Sequence, residues 1–324
     1  MKKKYNWGII GCGKIAHKFA EDLVTIPDAT VYAVASRNLK KAKDFGEIYN
    51  SIRCYGSYKD LITDSKVDII YIATPHVFHH ENTLMCLTHK KAVLCEKPFA
   101  MNSKQVKEMI AAAKSNNTFL MEALWTYFLP HYNYVLKVIQ SNELGKVKSL
   151  KADFGFTSTY DPQSRLFNKK LGGGSLLDVG IYPLFAALSI LGDPEKVEAN
   201  ATFNKSGIDE NCIMQLTYKN NVQASLYSSI TKETNTEAII ELEKGIVTIN
   251  SRFHEPSSVT IIKNGILKSH EFPVSTNGYS FEAIHVQEML DQDAIESTIM
   301  NFETSLKLIN LLDTVRKNIK LDYL

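Results

Sequence analysis

Cysteine is scarce and scattered in this chain. The five, Cys12, Cys54, Cys86, Cys95 and Cys212, are odd in number and form no C-x-x-C pair. Neither a disulfide framework nor a structural zinc site is therefore indicated, and a reducing cytoplasm is the expected setting. An excess of one charge is also missing. The 37 Lys and Arg nearly balance the 35 Asp and Glu, leaving a formal net charge of +2, which favours neither nucleic acid nor a membrane surface as partner. No run is read as approaching the ~18 apolar residues that span a bilayer. The basic start, Lys2-Lys3-Lys4, passes straight into a strand-like segment, unlike a secretory signal. There is no internal repeat and no low-complexity segment.

What remains is an ordinary globular composition, 44% hydrophobic and 22% charged, over 324 residues. That length suggests about two domains. The first half alternates strand and helix. Strands are expected at Tyr5–Ile10, Val31–Ala35, Val67–Ala73, Ala92–Cys95 and Phe119–Met121, with helices between them. Such alternation implies a doubly wound parallel sheet, an α/β Rossmann domain over residues 1–123.

Ligands in such a sheet sit beyond the carboxyl ends of the strands, and three strand ends carry informative residues. After the first comes Gly11-Cys12-Gly13-Lys14-Ile15-Ala16, the G-x-G-x-x-A form of the dinucleotide fingerprint. Gly11 suits a tight turn, Gly13 a close approach of a pyrophosphate, and Ala16 tight helix packing. Lys14 and Ile15 open the helix whose N–H groups would face the phosphates. After the second strand, where a site for unphosphorylated NAD usually has Asp or Glu, stand Ser36-Arg37-Asn38, with Lys40 and Lys41 nearby. Arg37 could pair with a 2′-phosphate or stack on adenine, and Ser36 could donate to it, which favours NADP(H) over NAD(H). A solvated basic turn leading a helix is the plainer alternative. After Ala92–Cys95 come Glu96-Lys97-Pro98. Lys97 is either a solvated loop residue or a point charge for a substrate oxygen or a neighbouring acid. His76, His79 and His80 match no standard metal spacing and lack a Cys or carboxylate partner, so no metal is expected.

From residue 124 the character changes. An aromatic stretch, Leu124–Pro130, leads to a helix at Tyr132–Gln140, and strands then dominate from Val147 to Ile262. Short links such as Lys219-Asn220-Asn221 and Lys244-Gly245 suit antiparallel hairpins. Helices at Phe281–Leu290 and Asn301–Lys317 close the chain. Residues 124–324 therefore read as an α+β domain on a large, mostly antiparallel sheet. Within it Gly172-Gly173-Gly174 precedes an apolar helix containing Pro183. Proline is tolerated only in a first turn, so the helix is placed near Val179 with Asp178 as N-cap. On spacing alone Asp178 and Tyr182 are a capping Asp and a core Tyr.

Taken together these residues resemble the Gfo/Idh/MocA oxidoreductase family along nearly the whole chain. The carriers are Gly8–Gly13, Ala73-Thr74-Pro75-His76, Glu96-Lys97-Pro98, and Gly173-Gly174 followed by Asp178 and Tyr182. Asp-x-x-x-Tyr, with Leu120–Trp125 and Gly278–Ala283, is similar to the branch that holds the dimeric dihydrodiol and NADP-dependent xylose dehydrogenases. Asp291-Gln292-Asp293-Ala294 departs from the branch, where a glycine-bearing turn is usual, and touches only a surface loop.

The resemblance implies hydride transfer between a nicotinamide and a secondary alcohol or lactol of a sugar or trans-dihydrodiol. It makes Tyr182 the general acid/base. A free phenol titrates near ~10, and Lys97 would bring it toward working pH while Asp178 holds the pair in register. Thr74, Pro75, His76 and Glu96 would line the nicotinamide ribose. Trp125 and Phe154 would stack on substrate, and Arg165 would reach substrate or cofactor. The resemblance further implies a cis Lys97–Pro98 bond, X-Pro bonds being those that tolerate it, and a homodimer through the second sheet. In Val222–Ser229 the apolar set is Val222, Ala224 and Leu226, and the open set Gln223, Ser225, Tyr227 and Ser229. The alternatives are a non-catalytic NADP-binding regulator, or a biosynthetic reductase sharing only the first domain.

Overall fold

The computed structural model of the chain describes residues 3–323. Fourteen strands are found among them: β1 Tyr5–Ile10, β2 Ala29–Ala35, β3 Arg53–Tyr55, β4 Ile69–Ile72, β5 Ala92–Glu96, β6 Leu120–Ala123, β7 Val147–Gly155, β8 Lys196–Phe203, β9 Asp209–Thr217, β10 Gln223–Ser229, β11 Ala238–Leu242, β12 Gly245–Ile249, β13 Val259–Lys263 and β14 Ile266–His270. The α-helices are α1 Lys14–Leu23, α2 Leu39–Ile48, α3 Tyr58–Thr63, α4 His79–Thr88, α5 Ser103–Asn116, α6 Pro130–Gln140, α7 Ile181–Leu191, α8 Ser280–Leu290 and α9 Phe302–Asn318.

Two compact units result. The first holds the described residues up to Phe128 together with Val274–Leu306, and the second Leu129–Pro273 with the described residues from Lys307 on. This division differs from a single cut after residue 123. The cause is long-range bonding that no local pattern announces. Asp22, buried in the last turn of α1, accepts from the backbone amides of Asn277, Gly278 and Ser280 at 2.8, 2.8 and 3.0 Å, so it holds the entry to α8. Leu120 also donates its amide to Ile295.

The first unit is a six-stranded sheet in the order β3-β2-β1-β4-β5-β6, parallel at every pair. β4 and β5 are buried throughout, which is why they read as unbroken apolar runs rather than alternating ones. Trp7, Phe19 and Tyr71 are fully buried in its core. β3 escaped the sequence because it is three residues long and half-exposed at the sheet edge. The fold class is as expected, and so is the cis Lys97–Pro98 bond.

The second unit is built on an eight-stranded sheet, β14-β13-β12-β11-β7-β10-β9-β8. Every pair is antiparallel except β7 with β10. One face buries Leu150, Ala152, Ala224, Leu226, Met214 and Ile240, with α7 against β7 and β10. The expected alternation in β10 holds from Ala224 to Tyr227 and fails at Ser229, which is buried. There its hydroxyl accepts from the Thr231 and Lys232 amides and closes the strand end. β14, an edge strand with Ile266 and Leu267 exposed, lacked a buried face to betray it.

Two sequence expectations change at α7. A five-residue π-helical turn, Leu176–Gly180, runs directly into it. Asp178 therefore lies inside a helical turn and is not the N-cap, and the wider turn absorbs Pro183, which has no amide to donate. Counting those turns, Lys169–Leu191 is long and apolar enough to pass as a membrane span, against the expectation that none would, but 83% of its apolar window is buried. It is the core helix of the second unit.

Candidate functional site

In the first unit the carboxyl ends of β1, β2, β4 and β5 carry the expected residues. Order reverses at β1, whose neighbours are β2 and β4, and such a switch point opens a crevice. The Gly11 amide donates to the Ala35 carbonyl at 3.0 Å. A Cβ at Gly11, whose φ is +96°, would lie 2.8 Å from the carbonyl oxygen of Ala73. Gly11 is thus required by the end of β4 itself. Gly13 differs: a Cβ there would meet nothing within 4 Å. It is the N-cap of α1, and no side chain caps that helix. The first amides of α1 therefore face open space that a protein side chain could have filled, which fits a pyrophosphate. Ala16 is buried, Lys14 exposed and Ile15 half-exposed.

At the end of β2 no carboxylate stands in Ser36-Arg37-Asn38. Asn38 caps α2 by accepting from the Lys41 amide, and Ser36 accepts from the Asn38 amide. Lys40 is paired with Asp44 at 2.8 Å. Arg37 is exposed, its guanidinium 5.3 Å from the centre of the Phe78 ring. Arg37 and Lys41 are the cations this corner can offer a phosphate.

Thr74, His76 and Glu96 are buried, and Pro75 and Lys97 half-buried. His79 joins the two strand-end loops, its Nε2 2.8 Å from the Thr74 carbonyl and its Nδ1 2.9 Å from that of Pro98. His80 pairs with Glu108 at 2.8 Å, and no group of metal-ligating side chains is found among the described residues. Glu96 accepts from the Tyr71 hydroxyl and, at 3.2 Å, from the Lys97 amide. Trp125, in the turn after β6, stacks on Tyr279 with ring centres 4.2 Å apart and planes 9° apart.

Two further acids here escaped sequence reasoning. Glu122 on β6 accepts from the Phe99 amide at 2.9 Å. Burial pushes its carboxyl up to about 7. Glu282, at the start of α8, is fully buried with no hydrogen-bond partner for either oxygen. Burial, then the charges of Glu96 and Asp22, push it well above the carboxylate range. The only signal was its place in the Gly278–Ala283 stretch.

In the second unit the π turn and the head of α7 carry Asp178 and Tyr182. Arg165 donates to Asp178 at 2.8 Å, so it is placed on Asp178. Tyr182 is buried, its ring centre 5.6 Å from Phe154 and 4.9 Å from His254. His254 lies 4.1 Å from Phe154. It is a lone histidine between β12 and β13, which nothing in the sequence marked.

A parallel sheet whose fingerprint glycine opens onto uncapped helix amides is an NAD(P)-binding Rossmann domain. Residues 5–124 match the oxidoreductase family with NAD-binding Rossmann fold, and residues 132–248 match the GFO/IDH/MocA C-terminal domain. The chain is 38% identical to trans-1,2-dihydrobenzene-1,2-diol dehydrogenase of Xenopus tropicalis, over 98% of each chain. Among solved structures it is similar to an aldose-aldose oxidoreductase from Caulobacter crescentus complexed with glycerol, with TM-score 0.90 and 26% identity over 98% of each chain. It is also similar to a 3-ketoreductase from Actinomadura kijaniata in complex with NADP and TDP-benzene, with TM-score 0.89 and 26% identity over 98% of each chain. The chain belongs to the GFO/IDH/MocA family of oxidoreductases. The match across the second unit sets aside a reductase that shares only the first domain.

Glu122 generates a pH prediction. Its folded pKa lies above the unfolded value, so its contribution to stability is complete below about pH 4.5 and declines as pH rises toward 7. Glu122→Gln keeps an acceptor for the Phe99 amide and cannot ionise. In urea unfolding the variant should gain on the parent between pH 5 and 8, by ~3 kcal/mol in all. Parallel stability curves would refute the buried neutral acid.

Proposed function

We propose that this enzyme transfers hydride between NADP(H) and a secondary alcohol or lactol, that of a trans-dihydrodiol or a sugar. The observation that carries the reading is Tyr182, a buried phenol at the head of α7 against Phe154 and His254. The names of the relatives support the substrate class. A bound nicotinamide supplies the hydride acceptor or donor. The chain must do the rest.

Tyr182 takes the hydroxyl proton in oxidation and returns it in reduction. Lys97 supplies the cation that favours the phenolate, and Asp178, held by Arg165, orients the acid/base. Thr74, Pro75, His76 and Glu96 would border the nicotinamide ribose. Trp125 and Phe154 offer ring faces to the substrate. An assay across trans-dihydrodiols and aldoses with both cofactors tests the reading. Tyr182→Phe should lose at least ~100-fold in turnover while NADP binding changes little, because the phenol acts only on the proton. Lys97→Met should do the same and move the pH profile of residual oxidation upward. Near-normal turnover by Tyr182→Phe would reassign proton transfer.

The cofactor reading is NADP over NAD. It rests on the missing carboxylate after β2 and on exposed Arg37 beside Phe78. Removing a bidentate partner of a phosphate costs roughly 1.5–3 kcal/mol. Arg37→Ala should therefore weaken NADP binding tenfold or more and leave NAD within about twofold. Equal losses for both would sink the preference.

We also propose a homodimer through the open face of the second sheet. Ile213 on β9 is 57% exposed and directly opposite Tyr227 on β10. Beside them Gln215 bonds Gln223 and Ser225. Uncharged polar side chains around an exposed isoleucine, flanked by Lys151 and Asp153 on β7 and Glu198 on β8, suit a partly polar sheet-to-sheet contact. Light scattering at micromolar concentration should give twice the chain mass, and Tyr227→Glu half of that. A monomeric parent protein would end the proposal.

A further inference from the structure

The Gly172-Gly173-Gly174 run, which the chemistry above leaves unused, has a carboxylate behind it. Asp209, the first residue of β9, is fully buried. Its Oδ2 accepts from the Ser175 hydroxyl and from the Leu176 amide, both at 2.7 Å. Ser175 also lies 3.0 Å from the Ser228 hydroxyl on β10. The Leu176 amide belongs to the donors that a helix start leaves without an intrahelical partner, and the Ser175 side chain at the cap position does not serve it. Asp209 thus does from another strand what a local cap residue would do. Its second oxygen, Oδ1, has no hydrogen-bond partner and faces Gly174. A Cβ at Gly174 would collide with that oxygen, and the φ of +121° there is one that L side chains rarely adopt. The glycine makes room for the carboxylate. On the preceding residue, the Tyr323 hydroxyl donates to the Gly173 carbonyl at 3.0 Å.

We propose that Asp209 is a positioning residue: by holding Ser175 and Leu176 it fixes the start of the π turn, and through that turn the orientation of Asp178 and Tyr182. The proposal rests on the role given to Tyr182 above. Burial pushes the Asp209 carboxyl up to about 6, against the donors that hold it down. The titratable groups facing it are Cys212 from its own strand and Tyr323, both raised by burial and neutral, with Asp178 and Arg316 beside Tyr323. Below about pH 6 the carboxyl takes up a proton and its charge-assisted bonds weaken.

Hydrogen exchange read peptide by peptide on the full chain tests this independently of turnover. Asp209→Asn keeps the size and removes the charge. Exchange across residues 173–182 should accelerate roughly tenfold or more, while the first unit and the rest of the second sheet stay unchanged. In the assay kcat should fall roughly tenfold with substrate KM within about twofold, and the fall in kcat expected of the parent protein below about pH 6 should be absent from the variant. Unchanged exchange across 173–182 overturns the proposal, whether or not any alcohol is turned over. Local acceleration in a protein that turns over nothing upholds the brace and overturns the Tyr182 reading alone. Should Asp209→Asn not fold, Ser175→Ala removes one of the two donors and must show the same local acceleration, or the proposal fails.

Discussion

The cofactor half of this enzyme depends on how closely two main chains approach at the ends of β1 and β4. The Ala73 amide donates to the Ile10 carbonyl at 2.8 Å, and the Gly11 amide donates to the Ala35 carbonyl of β2. The fingerprint turn is thereby pinned between both neighbours of the central strand. Any side chain at Gly11 would press on the Ala73 carbonyl, so the crevice floor is backbone. From that floor α1 leaves with its first amides uncapped. Its packing against the sheet then places Asp22 where it holds the entry to α8.

Behind the crevice lies a cost that the fold absorbs. Glu96, Glu122, Glu282 and Asp22 are all buried in one unit. Their answers differ. Asp22 is ringed by three backbone amides and the Asn277 side-chain amide. Glu96 takes the Tyr71 hydroxyl and the Lys97 amide. Glu122 and Glu282 are pushed toward the neutral acid. Burial of a carboxyl without a matching charge moves its proton equilibrium before it unfolds the chain. The unit can therefore keep Glu96 beside the Lys97 loop without gathering several negative charges.

The second unit solves a different problem, that of packing a buried phenol, Tyr182, at the head of an apolar helix. A Cβ on Gly180 would come within 2.9 Å of the Ser228 hydroxyl, so the π turn lies directly on β10. Arg165 holds Asp178 from the preceding loop. Phe154 and His254 pack the Tyr182 ring. Each of these partners comes from a different stretch of chain.

The sequence by itself determined the Rossmann half, because strands buried on both faces and helices with one apolar face leave local signatures. It also determined the fingerprint glycines, the basic end of β2 and, through its family likeness, the cis Lys97–Pro98 bond. Short or edge elements, β3 and β14, were beyond it, since neither has a fully buried face to impose a period. Only the tertiary structure decided that residues 274–306 return to the first unit. It also decided that Asp178 sits inside a π turn, that Arg165 pairs with Asp178, that His254 packs on Tyr182 and that Asp209 holds the start of the π turn. The reason is the same throughout. The π turn apart, these facts are contacts between residues from 13 positions apart, as for Arg165 and Asp178, to more than 250, as for Asp22 and Gly278, and no periodicity or motif within a window of sequence encodes them.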